Sequence, residues 1–246
     1  MSKIPSPKGN EAGIRLNRYI AHAGVCSRRE ADTLIAEGKI KVNGKVVTEM
    51  GHKVKPGDKV VYKGKTLRAE KLIYVLLNKP KDFITTTDDP QNRHTVMELV
   101  KKAGDERIFP VGRLDRNTTG LLLLTNDGDL AKVLTHPSHQ VKKIYKATLD
   151  KPLTKHHFEE IVEGFELEDG PVMVDDLALI SKDGREVGLE IHLGRNRIVR
   201  RIFEHFGYEV VALDRVVFAG LTKKDLPRGK WRFLTDKEVG TLKRRK

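Results

Sequence analysis

Cysteine is almost missing from this chain of 246 residues: Cys26 is alone, so no intrachain disulfide framework can form, and no Cys/His grouping has zinc-ligand spacing. Acidic residues are also in short supply. There are 34 Asp and Glu against 47 Lys and Arg, a net charge of +13, and the pI is near 9.7. Long apolar runs are lacking, since no stretch approaches the roughly 20 residues that a membrane span needs. The opening MSKIPSPKGNEAG has no apolar core of the signal-peptide kind. Together these absences point to a soluble protein of a reducing cytoplasm with a polyanionic partner, and away from membranes and secreted scaffolds.

What is present fits one large domain and one small one, with 38% apolar residues to fill their cores. The positive charge is uneven. Residues 1–72 hold sixteen basic and seven acidic side chains, so the N-terminal third is the expected electrostatic footprint. Residues 1–12, rich in Pro, Gly and Ser, are expected to be a flexible tail, and 241–246 a basic one.

From Ile14 to about Gly24, apolar residues recur at helical intervals, and Gly24 suits a helix end. Ser27 stands three residues before Glu30, the capping-box spacing, and opens a second helix that Gly38 closes. Arg28 and Arg29 fall in its first turn, where the helix dipole disfavours cations by a few tenths of a kcal/mol. A bound phosphate would relieve that conflict, and Arg15, Arg18, Lys39 and Lys41 lie nearby in sequence; the competing account is a set of solvated side chains. IKVNGKVV then reads as a hairpin turning at Asn43-Gly44, and KPGDKVVY adds a Pro-Gly turn and a strand. The order GIRLNRYIAHAGVCSRREADTLIAEGKIKVNG resembles the S-four-type RNA-binding domain, placed at 13–63, with a polar connection at 64–72. RNA duplexes are read mainly through phosphates and shape, which suits a rigid basic face.

Beyond the connection, LIYVLLNKP reads as an apolar strand, TVMELVKKA as a short helix, RIFPVG as a strand, LDRNTTG as a loop and LLLLT as another strand. Asp115 lies in that loop between Arg113 and Arg116. Loops on rigid strands carry functional groups, but an aspartate there can equally just bond its own turn.

The stretch GRLDRNTTGLLLLTNDG is similar to the central motif of the pseudouridine synthases, in their RsuA/RluB branch. The resemblance runs from about Leu72 to Leu234 through KIYKA, LEDGP and GRNRIVRRIFEHFG. It implies that Asp115 is the nucleophile, that Tyr145 stacks on the target base and helps remove its carbon-5 proton, and that Arg200 pairs with the carboxylate. Such a pair would keep the acid ionised and oriented. Breaking a glycosidic bond and rejoining the base through carbon requires a covalent or ion-pair intermediate, for which a carboxylate suffices without cofactor or metal. Residue types do not choose between attack on the sugar and on the ring. Arg113, Arg116, Arg195, Arg197 and Arg201 join the candidate RNA contacts, with solvated surface as the alternative for each. The segment Asn196–Ile198 departs from the family pattern, which often has glutamine or histidine there, and this bears on base recognition.

Neither His136 with His139 nor His156 with His157 has an acid or cysteine at metal spacing, and Trp231 is expected to pack within the protein rather than stack on RNA. The expected fold is α/β (α+β): a small helix-helix-hairpin RNA-binding domain, then a larger domain at 73–240 with a mixed, mostly antiparallel sheet and helices around a cleft. The expected activity is isomerisation of a specific uridine in ribosomal RNA, with LEDGP and GRNR favouring the large subunit and a monomer as the default state. A non-catalytic RNA-binding assembly factor is the alternative, and an acid-base ribonuclease a third reading without a paired-His constellation to support it.

Overall fold

The computed structural model describes residues 13–245, which divide into two compact units between residues 71 and 72. The expected N-terminal tail therefore lies outside the described residues.

In the first unit, β1 (Ile14–Arg15) precedes α1 (Leu16–His22), so the predicted first helix starts two residues late. Ile14 and Arg15 pair instead with a strand further along, because β1 lies antiparallel to Val54 and Lys53. The second helix, α2 (Arg28–Ala36), has the full capping box: the Ser27 hydroxyl accepts from the Glu30 N–H, and Glu30 accepts from the Ser27 N–H. Strands β2 (Ile40–Val42), β3 (Lys45–Val46), β4 (Lys53–Val54), β5 (Val60–Tyr62) and β6 (Lys65–Thr66) follow. Asn43 and Gly44 both take positive φ, as the two-residue turn between β2 and β3 demands. Residues 65–66, expected in the linker, form β6 by pairing with β5. Leu16, Ile20, Ala31, Ile35, Ile40, Val42, Val54 and Val60 make a separate core, each large aliphatic group contributing about 1.5–3 kcal/mol.

The second unit is built on β7 (Tyr74–Lys79), α3 (Val96–Val100), β8 (Phe109–Pro110), β9 (Thr118–Thr125), α4 (Gly128–Thr135), β10 (Lys143–Leu149), α5 (Lys155–Glu163), β11 (Phe165–Leu167) and β12 (Gly170–Val172). It continues through β13 (Asp176–Leu179), β14 (Glu186–Ile191), α6 (Ile198–His205), β15 (Val210–Phe218), β16 (Leu221–Thr222), β17 (Trp231–Phe233) and α7 (Asp236–Lys243). Nine of these strands form one sheet in the order β13-β14-β10-β15-β9-β7-β17, with β16 beside β15 and β8 beside β9. Every pairing is antiparallel except β9 with β15.

The run of leucines in β9 is buried throughout because the sheet is covered on both faces. Leu122 and Leu124 join the core that includes residues of α3, α5 and α6, while Leu121 and Leu123 join that of α4 and α7. The strand begins at Thr118 rather than after Gly120, since Thr118, Thr119 and Gly120 pair in parallel with Leu213, Asp214 and Arg215. Gly120 has φ 107°, and a Cβ there would lie 2.3 Å from the Arg215 carbonyl oxygen. At the other end, α7 runs through Lys243 with Leu242 buried, so residues 241–243 belong to a docked helix instead of a tail. Trp231 packs against the core that holds Leu122 and Leu124, and against Phe233, as expected.

Candidate active site

Asp115 occupies the loop that leads into β9, and the segment after β7 fixes that loop from several sides. Lys79, the last residue of β7, is fully buried. Its ammonium donates to the carbonyl oxygens of Pro80 (3.0 Å), Asp115 (3.1 Å), Arg116 (3.1 Å) and Thr118 (2.8 Å). The Thr85 hydroxyl donates to the Leu114 carbonyl and accepts from the Leu114 N–H. Asp82 N–H donates to the Arg116 carbonyl, and its carboxylate pairs with the Arg116 guanidinium at 3.2 Å. The carbonyls of Leu114, Asp115, Arg116 and Thr118 are thus all engaged, while the half-buried Asp115 carboxylate has no hydrogen-bond or ion-pair partner among the described residues. A side chain on an immobilised loop with its acceptors unused is suited to a ligand.

Burial pushes the Lys79 ammonium down from 10.5 to about 8, opposed by the attraction of Asp115 and Asp82. Nothing in the sequence marked Lys79 for this role. The only signal is a lysine at the closed end of an apolar strand, in NKP, where a solvated strand terminus would read the same.

Arg200 comes from α6, whose face of Ile198, Val199, Ile202 and Phe203 packs into the core that also holds Leu114 and Tyr145. Its guanidinium donates to the Val210 carbonyl at 2.5 Å. Burial, together with the neighbouring Arg197, lowers its affinity for the proton, while Asp115 acts in the opposite sense. Arg200 and Asp115 therefore share one electrostatic environment, although no ion pair of 4.0 Å or less joins them. Tyr145 lies on β10 between Leu189 of β14 and Arg215 of β15, 8% exposed. Two residues before it, Lys143 donates to the His192 and Leu193 carbonyls, and burial and then Arg215 bring it to about 8.

The basic candidates divide sharply. Arg15, Arg28, Arg29 and Lys41 are exposed on the first unit, Arg18 is half-buried in α1, and Lys39 pairs with Glu37 at 2.6 Å. In the second unit Arg113 is exposed, while Arg116 is held by Asp82. Arg195 and Arg201 are engaged within the protein: both reach Asp169, and Arg195 also donates to the Gly170 and Pro171 carbonyls. Arg197 pairs with Glu204 at 3.1 Å. Asp169, which gathers Arg195 and Arg201, is a partner that sequence reasoning missed, since LEDGP reads equally as a plain turn.

A shallow basin of about 410 Å³ is lined by Thr119, Lys146, Thr148, Asp214 and Arg228. Lys146 and Thr148 alternate with Tyr145 along β10, so this basin belongs to the other side of that strand. Its charges are largely matched. Asp214 accepts from Thr119, Lys223 and Arg228. Among the described residues no group of three or more His, Cys, Asp or Glu is placed to hold a metal ion. None of the helices among the described residues is long and apolar enough to cross a membrane.

Residues 73–205 match the family model described as RNA pseudouridylate synthase, and residues 14–60 match the S4 domain. The chain is 43% identical over 233 residues to ribosomal large subunit pseudouridine synthase B of Bacillus subtilis, covering 93% of this chain and 95% of that protein. It is 38% identical to the dual-specificity RNA pseudouridine synthase RluF of Escherichia coli, covering 93% of this chain and 78% of that protein. A crystal structure of a pseudouridylate synthase superposes with a TM-score of 0.66 at 30% identity, covering 94% of this chain and all of that one.

Proposed function

The chain belongs to the RNA pseudouridylate synthase family, and from that premise we propose that it isomerises a specific uridine of large-subunit ribosomal RNA with Asp115 as the nucleophile. The observation that carries this reading is the contrast at one loop: Lys79, Asp82 and Thr85 take up its backbone groups while the Asp115 carboxylate is left without a hydrogen-bond or ion-pair partner, within the electrostatic reach of the half-buried Arg200.

The reaction breaks the bond from N1 of the base to C1′ of the ribose, turns the base, and joins C5 to C1′; the C5 proton leaves and N1 gains one. Asp115 forms a transient bond to the substrate in the course of N1–C1′ cleavage, and that bond breaks again once C5 has joined C1′, so the free carboxylate is regenerated. Arg200 supplies the positive charge that faces the Asp115 carboxylate across the site. Tyr145 offers an aromatic face for the base and, with its hydroxyl, a group to assist departure of the C5 proton. A uridine must leave its helix to reach these side chains, at a cost of a few kcal/mol that is least for unpaired positions. The S4 unit holds a neighbouring part of the RNA, so that two weak contacts act at high effective concentration.

Asp115→Asn tests the assignment on an unmodified large-subunit rRNA transcript labelled with tritium at uridine C5. The variant retains the RNA and releases no tritium. Turnover at the parent rate removes Asp115 from the mechanism, and binding without turnover in the parent itself makes the chain an assembly factor. Mapping pseudouridines in RNA from cells with and without the protein identifies the target.

A further inference from the structure

Helix α6 is poorly equipped to stand alone. It has two turns, its N-cap residue Arg197 adopts a left-handed φ of 47° with no side-chain cap, and no acid occupies its first turn. Instead Arg197, Arg200 and Arg201 crowd the end where the helix dipole is positive. Helices this short are marginal without tertiary support.

Burial of Ile198, Val199, Ile202 and Phe203 in the core supplies one part of that support, and the β11-β12 hairpin supplies another. At one end of α6, Phe165 stacks on His205 with ring centroids 4.8 Å apart and meets Phe206 edge-on at 4.9 Å. At the other, the Asp169 carboxylate takes both arms of the Arg201 guanidinium, at 2.9 and 2.7 Å, and lies 3.4 Å from Arg195. Arg195 closes the clasp by donating to the carbonyls of Gly170 (2.8 Å) and Pro171 (2.9 Å). The two arginines grip the hairpin from either side of the α6 N-terminus. A bidentate fork fixes direction as well as distance.

Adjacent residues on a helix point about 100° apart. The buried face restricts how α6 can turn about its axis, and holding Arg201 to the hairpin fixes that rotation from the outer side, and with it the bearing of Arg200. We infer that Asp169 is a positioning residue: by clamping Arg201 and Arg195 to the hairpin turn it aims the Arg200 guanidinium toward the Asp115 loop. The inference rests on the reading in which Arg200 serves Asp115, and gives the LEDGP turn a part in the chemical step without touching the RNA. A surface role for Asp169 makes the opposite forecast, since removing an acid from among arginines strengthens RNA binding and leaves the chemistry alone.

The test is steady-state tritium release from the labelled rRNA transcript by the full-length protein. Asp169→Asn lowers kcat by roughly ten- to hundred-fold, as small misplacements of catalytic groups do, with KM unchanged or reduced. Asp169→Glu, which keeps the carboxylate on a longer arm, recovers part of the lost kcat. If Asp169→Asn does not fold, Arg201→Lys carries the same readout, because it keeps the charge and loses the fork. A kcat within about two-fold of the parent in the folded variants, whatever KM does, overturns the inference. Asp115→Asn, run alongside, separates the two levels. If it turns over normally, the Asp115–Arg200 reading itself has failed; if it is dead while Asp169→Asn is fully active, only the clamp has.

Discussion

Replacing Lys79 by Met removes the ammonium that ties β7 to the Asp115 loop and leaves the volume filled. Three N–H donors are lost from four carbonyl acceptors, and charge-assisted bonds contribute about 1.5–3 kcal/mol each. Against this stands the cost of burying the cation. The fall from 10.5 to about 8 corresponds to about 3 kcal/mol at 1.36 kcal/mol per pKa unit. The net is a loss of a few kcal/mol, a large share of the roughly 5–15 kcal/mol that holds a domain folded. Activity falls further than stability, because the freed loop no longer presents Asp115 in one geometry. Thermal melting followed by circular dichroism and single-turnover tritium release measure the two effects. A parent-like melting temperature with a parent-like rate refutes the account of the loop.

The same lysine gives a pH signature. Its folded pKa lies below the unfolded value, so the native state surrenders its proton first, and between about pH 8 and 10.5 the unfolded chain binds more protons. Stability from this group therefore rises with pH across that window, while the third donor to the loop is lost and the chemical step slows. Lys143, also near 8, adds to the stability trend.

Arg200→Met lowers kcat by roughly a hundred-fold or more while RNA binding changes little, read from the same release assay. Asp214→Asn destabilises the protein at neutral pH by about 2 kcal/mol: burial raises the carboxyl pKa, but Arg228, Lys223 and Thr119 outweigh it and hold it at about 2. That stabilisation is present above the unfolded value near 3.8 and is lost as pH falls through about 2, so the parent and the variant converge in acid denaturation. Gly120→Ala forces β9 away from β15, since its Cβ would meet backbone at 2.3 Å, and lowers the melting temperature sharply. Ser27→Ala removes one half of a capping box and costs about 1 kcal/mol in the first unit, seen as faster hydrogen exchange along α2.

Patterns of short range were legible in the chain itself. The Ser27–Glu30 spacing gave α2, Asn43-Gly44 gave its hairpin, the apolar stripe from Ile198 gave α6, and the acid in LDRN drew attention through its motif. Each of these depends on residues a few positions apart, whose geometry local backbone preferences dictate. Tertiary structure decided what rests on long separations: that Thr118–Gly120 are strand because Leu213–Arg215 lie beside them, and that Leu242 is core. It also decided which charges are available. Lys79, Arg195 and Arg201 look in sequence like any other cations of a basic protein; whether each meets a carbonyl, a carboxylate or a phosphate is set by chain brought to it from 25 to 39 residues away. Charge and periodicity are properties of the sequence, but the satisfaction of a charge belongs to the fold.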